Sequence, residues 1–191
     1  MIDLFRDLTD YEREDLNTIE LNGREYRAGE VDGTELIIAA AFGADTHEDS
    51  YNSRIADAVE DLLQKSQEAD VIVQSEVADI LEGRGYEEIH SVGESYEEDD
   101  NTLMVSKYTT SEIFEESHEI ALENNYDAGN TAYIGHPAHM KRIENVAENI
   151  GFEGEPVLPK VEWPEDSQPW VNSELRWVPR EVAARLYNKL T

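Results

Sequence analysis

The sequence predicts an α/β domain, with a mainly parallel sheet covered by helices on both faces. Three observations carry this. Short runs such as "LIIAA", "VIV" and "AYI" are apolar without alternation, as strands are when both faces of their sheet are covered. Between them lie segments whose apolar residues recur at helical spacing. The two kinds of segment alternate along the chain, which is the connectivity that builds parallel sheets. At 191 residues there is material for one such domain with a real core, and too little for two.

Residues 1–34 form an N-terminal extension in which "IELNGREY" predicts a hairpin turning at Asn22-Gly23. The α/β domain then runs over residues 35–191. "ELIIAAAFGAD" is a buried strand ending at Gly43, and "DSYNSRIADAVEDLLQKS" is a helix with Tyr51, Ile55, Val59 and Leu62 on one face. "DVIVQ" is the second strand. "SEVADILEGRG" follows as a helix with Val77, Ile80 and Leu81 inside, ended by Gly83 and Gly85. "YEEIHSVG" is the third strand, and the acidic loop "ESYEEDDNT" after it reads as a lid or a solvated insertion. "TTSEIFEESHEIALENN" aligns Ile113, Ser117, Ile120 and Ala121, and "TAYIG" is the fourth strand. Its helix carries Ile143, Val146, Ala147 and Ile150. "EPVLP" is a last strand, the irregular segment after it holds all three tryptophans, and "VPREVAARLYNKL" closes the chain as a helix with Pro179 in its first turn.

Charge sets the environment. There are 44 Asp and Glu against 15 Lys and Arg, giving a net charge of −29 and a pI near 4.2. The acids are interleaved with periodic apolar residues, so they form the skin of a folded domain rather than a disordered tail. Such a skin suits multimolar salt, where the Debye length is about 3 Å and self-repulsion is screened; a haloarchaeal cytoplasm is the expected setting. No basic stripe exists for nucleic acid or an anionic membrane. The chain has no cysteine, which excludes disulfides and thiolate metal sites. "MIDLFRDLTDYERED" has no apolar core for a signal peptide. A cytoplasmic location is expected.

In parallel sheets, ligands bind outside the carboxyl ends of the strands, and four polar groups fall there. After the first strand come Gly43, Asp45 and His47, with Arg54 on the next helix. After the second come Ser75 and Glu76, after the third Ser106 and Thr109, and after the fourth Gly135, His136, His139 and Arg142. Most have a structural reading beside the functional one. Ser75 can be an N-cap, and Thr109 with Glu112 fits a capping box. Gly43 can simply allow a turn or let backbone amides approach an anion. Arg54 can be half of a surface ion pair. His139 and Arg142, three apart at a helix start, share a face on which an imidazole, a guanidinium and backbone N–H groups would converge on a negative group. His136 and His139, with Asp45, His47 and Glu76, also offer oxygen and nitrogen donors for a metal, but His-x-x-His at such a junction is a loose signal. The G-x-S-x-G, G-x-x-x-x-G-K-[ST], H-E-x-x-H and G-x-G-x-x-G patterns are absent.

In order and spacing these residues resemble the YdcF/SanA/ElyC family. The matching features are the glycine-ended first strand, Arg54, Ser75-Glu76-Val77, Ser106-Lys107-Tyr108-Thr109, His139-Met140-Lys141-Arg142 and a terminal Arg180-Glu181. The resemblance spans roughly residues 35–190, and its most specific piece is "HMKR". It departs from the family at Gln74-Ser75, where glycines are common, and at Ser111-Glu112, where Glu-Asn is common. The resemblance implies a Rossmann-like three-layer α/β/α sandwich with a polar pocket at the strand ends, and it implies no settled reaction.

The expected function is binding of a small anionic, nucleotide-like molecule, with no cofactor assigned. Arg142 and Arg54 would contact the anion, assisted by Gly43, Asp45, Ser75, Ser106, Thr109 and His136. His139 would be donor or general acid/base and Glu76 a base or hydroxyl-orienting group. These groups suit hydrolysis or group transfer at a phosphate or similar ester. The alternative is a non-catalytic interaction domain whose contact patch is Trp163, Trp170 and Trp177.

Overall fold

The computed structural model describes residues 33–44, 46–93 and 108–159, together with the backbone of three N-terminal strands. The latter are β1 (Tyr11–Arg13), β2 (Thr18–Leu21) and β3 (Arg24–Arg27). The expected segments beyond these, namely the loop at 94–100, the tryptophan segment and the terminal helix, lie outside the described residues.

Leu36, Ile37, Ile38 and Ala39 have no exposed surface. A strand buried on both faces must lie in the middle of a sheet, and β4 (Leu36–Ala39) does. It pairs in parallel with β5 (Asp70–Gln74) on one side and β7 (Thr131–Ile134) on the other. Outside these lie β6 (His90–Val92), parallel to β5, and β8 (Gly154–Val157), parallel to β7. The parallel strands therefore run β6-β5-β4-β7-β8, and the antiparallel β1-β2-β3 meander extends the sheet through a β3–β8 pairing at Arg27 and Val157. The hairpin expected from Asn22-Gly23 is present in the pairing Leu21↔Arg24. The N-terminal extension thus joins the sheet of the α/β domain.

This order fixes the layers. From β4 the chain steps outward through β5 to β6, then returns across the sheet to β7 and steps outward again to β8. Right-handed crossovers in opposite directions put their helices on opposite faces. Helices α1 (Tyr51–Lys65) and α2 (Ser75–Gly83) cover one face, over Ile37, Ala39, Val71, Val73 and Ile134. Helices α3 (Thr110–Asn124) and α4 (Pro137–Ile150) cover the other, over Leu36, Ile38, Ile72 and Tyr133. The result is the three-layer, Rossmann-like α/β/α sandwich. Each fully buried Leu or Ile adds about 1.5–3 kcal/mol.

Helix faces follow the periodicity, with additions at their starts. Tyr51, Ile55, Val59 and Leu62 are all buried on α1. On α3 and α4, Phe114 and Met140 join the expected stripes, while Ile120 and Ile150 are only partly buried. Arg84, just past α2, links the two helices of its face. Its guanidinium lies 3.0 Å from both Asp57 and Glu60 of α1, and it donates to Ser53 Oγ at 2.8 Å. No helix among the described residues is long and apolar enough to cross a membrane.

Candidate functional site

The strand order reverses between β4 and β7, and the carboxyl ends of these two strands are where such sheets open a crevice. Here the opening is closed by stacked rings. The His136 imidazole lies on Phe42 with centroids 3.7 Å apart and planes 16° apart. Tyr51 packs against both, 4.4 Å from His136 and 5.2 Å from Phe42. All three side chains are buried, and burial pushes the His136 imidazole well below its ordinary value, so it is held neutral.

The backbone at this turn is committed as well. The Ala40 N–H donates to Ile134 O at 2.9 Å, the Ala41 N–H to Gln74 Oε1 at 3.0 Å and the Phe42 N–H to Asn52 Oδ1 at 2.7 Å. Asn52 returns a bond from Nδ2 to Gly43 O at 3.1 Å. Gly43 has φ of +81°, so it serves the turn. Three successive amides that could have faced a phosphate instead satisfy protein acceptors. Dinucleotide folds put their pyrophosphate cradle at this turn; this chain ties the turn shut.

Beside this knot, on the face of α3 and α4, the arrangement differs. Gly135 lets β7 pass directly under Ile143, whose side chain occupies the space a β-carbon would need. Pro137, at the first helical position, then starts α4 at the rim. The helix brings in His139, which is buried, and Arg142, which is half-buried. From α3 comes Thr110, also buried, with Oγ1 2.8 Å from His139 Nε2. The Arg142 guanidinium reaches the same nitrogen, 2.5 Å away. Two helix N-termini, each with its partial positive charge, therefore meet around a histidine, a hydroxyl and a guanidinium.

The other predicted residues distribute around the rim. Thr109 is the cap of α3, its hydroxyl accepting from the Glu112 N–H at 3.3 Å while the Glu112 carboxylate accepts the Thr109 N–H at 2.6 Å. The Thr109 backbone N–H first, and the Thr109 hydroxyl after it, hold the Glu112 carboxyl below its ordinary value. Ser75 is the first residue of α2 rather than its cap, and its hydroxyl donates to Glu76 Oε2 at 3.2 Å. Both are buried, and a carboxylate in the first turn of α2 is favoured by the helix dipole. Arg54 stands on α1, over the opposite face of the sheet from Arg142; its side chain is 53% exposed and 3.8 Å from Asp57. Asp45 and Ser106 lie outside the described residues, as do Trp163, Trp170 and Trp177 of the alternative reading. Among the described residues, no group of three or more His, Asp or Glu could hold a metal ion.

Of the predicted set, the structure joins His139 to Arg142, stacks His136 on Phe42, places Gly43 in the turn after β4 and sets Arg54 beside Asp57. It adds Thr110, Asn52 and Gln74. Comparison with protein-family models, with curated proteins and with solved structures returns no match to this chain.

Proposed function

We propose that this protein binds a small anionic ligand, a phosphate ester of the nucleotide or sugar-phosphate kind, at the joined N-termini of α3 and α4. The observation that carries this reading is the convergence of Thr110, His139 and Arg142 there. Arg142 takes the anion, the helix N-termini supply further positive field, and His139 is the donor or general acid/base. Glu76, the buried acid at the start of α2, serves a ligand hydroxyl. The chemistry these groups suit is hydrolysis or transfer at a phosphate or similar ester. We place the chain in the YdcF-like family, in a salt-rich cytoplasm, with neither nucleic acid nor membrane as partner.

A protein of net charge −29 repels anions at a distance in dilute buffer. With a Debye length of about 3 Å in multimolar salt, that repulsion fades while contacts at hydrogen-bond range persist. Binding is therefore strongest in high KCl relative to what the net charge alone would allow. The test is thermal unfolding in multimolar KCl against a panel of nucleotides and sugar phosphates. A ligand at about a hundred times its dissociation constant adds roughly 2.7 kcal/mol of stability. Arg142→Ala removes that gain. A ligand shift that survives Arg142→Ala would refute the placement.

A further inference from the structure

We infer that the Arg142–His139 contact is a latch that an anion opens, and that opening it carries a proton onto His139. The inference rests on the anion-site reading above and concerns how that site responds to its ligand.

The argument starts from one atom. Arg142 and Thr110 both approach Nε2 of His139, at 2.5 and 2.8 Å. A guanidinium has donors only, so Nε2 must be the bare nitrogen and the ring neutral with its proton on Nδ1. A bare imidazole nitrogen offers a single in-plane lone pair. Arg142 therefore occupies the acceptor that the Thr110 hydroxyl also reaches, and two donors share a place made for one. Of the two, Thr110 is fixed on the first turn of α3 and buried, whereas Arg142 has a long side chain and is half-buried. Arg142 is the partner that can leave.

An anion supplies the reason. A phosphate or sulfate offers the guanidinium a bidentate, charged acceptor, a stronger partner than the neutral nitrogen of His139. Once Arg142 turns to it, two changes act on the imidazole in the same direction: a cation leaves its edge and a negative charge arrives nearby. Both favour the charged ring. Nε2 then takes a proton from solvent and becomes a donor, and Thr110 Oγ1 turns from competitor to acceptor. One N–H bond forms as one O–H bond of a solvent hydronium breaks, leaving water, and no other covalent bond changes.

Among the described residues, the titratable and charged groups around this pair have bonds of their own. On α4, Lys141 is engaged with Glu144 at 3.6 Å. The β7–α4 turn presents the His136 carbonyl, which accepts the His139 backbone N–H at 2.8 Å, and a His136 ring held neutral by burial. From α3 the facing group is the Thr110 hydroxyl, with Glu112 engaged by the cap. The buried acid of the rim, Glu76, belongs to α2 on the other face of the sheet and takes the Ser75 hydroxyl.

The test uses sulfate, which does not titrate near neutrality. Ring signals of the five histidines are followed by NMR as pH is varied, with potassium sulfate replacing part of the chloride at constant ionic strength. The His139 signal is assigned by its loss in His139→Gln. The expected result is that sulfate raises the midpoint of that ring's titration by about one pH unit or more, while the His136 ring is unmoved. If sulfate perturbs His139 signals but leaves the midpoint where it was, the latch is wrong and the anion site stands. If sulfate perturbs neither His139 nor the first turns of α3 and α4, the site reading falls and the latch with it. Thr110→Val removes the competitor, so sulfate binding weakens several-fold as Arg142 settles on Nε2, and Thr110→Ser restores it. Unchanged binding in a folded Thr110→Val protein would contradict the competition for Nε2.

Discussion

Two halves of one rim use similar residues for opposite ends. Where β4 meets β7, a histidine, an asparagine and a glycine sit at the strand ends, and their polar capacity is turned inward. His136 is stacked and neutral, Asn52 bonds both sides of the Phe42–Gly43 peptide region, and Gln74 accepts the Ala41 amide. Where α3 meets α4, a histidine, a threonine and an arginine sit at the helix starts, and their capacity is over-subscribed at one nitrogen. On the function proposed above, the difference teaches that position at a strand's carboxyl end is a weak guide to a binding site. What separates a structural knot from a binding site is whether the polar groups already complete one another. A closed set of bonds stabilises the fold; a contested bond can be traded for a ligand.

Breaking the knot should cost the most. Asn52→Ala leaves the buried Phe42 N–H and the Gly43 carbonyl without their partner, and denaturant unfolding should register a loss of about 2–4 kcal/mol. Anion binding by the molecules that remain folded should be unchanged.

Next in size is a pH effect of His136. Burial holds its folded-state value below the ordinary 6.5, so the unfolded chain takes up the proton first. Stability is full above about pH 6.5 and falls as pH drops below it, by up to about 1.4 kcal/mol per unit. His136→Phe keeps a stacked ring and removes the titration. Equilibrium unfolding between pH 6.5 and 5 should lose that component of its slope, and an unaltered slope would mean the ring is not the source.

The adjacent threonines sharpen the contrast further. Thr109→Ala removes the cap of α3 and should cost about 1 kcal/mol of stability with little change in sulfate affinity. Thr110→Val should do the reverse. Smallest of all is Arg54→Ala: an exposed side chain facing Asp57 should change stability by no more than about 0.5 kcal/mol, and calorimetry should find the anion site intact.

The sequence made the sandwich legible because strand burial and helix periodicity are local signals. Leu36–Ala39 reads as a buried strand and is one, and the α1 stripe of Tyr51, Ile55, Val59 and Leu62 packs as the spacing requires. The site was legible only in part. His139 and Arg142 are three apart on one helix, so their meeting is local. Thr110 is different: "TTSE" contains three hydroxyls, the capping-box pattern points to the first, and only the packing of α3 against α4 brings the second to Nε2. The stacking of His136 was hidden for the same reason. Its partners Phe42 and Tyr51 are more than eighty residues away in the chain, and nothing near "IGHP" announces the stack. Asn52 sits among polar neighbours at a helix start, where an asparagine draws no notice, yet its side chain holds the turn shut.

The most direct test of this division is an amide chemical-shift map of the protein titrated with potassium sulfate in multimolar KCl. The account predicts that shifts concentrate in the first turns of α3 and α4, around Thr110, His139 and Arg142, and vanish in Arg142→Ala. Shifts centred instead on Phe42, Gly43 and the start of α1 would contradict it, because they would place the ligand in the knot that the structure closes.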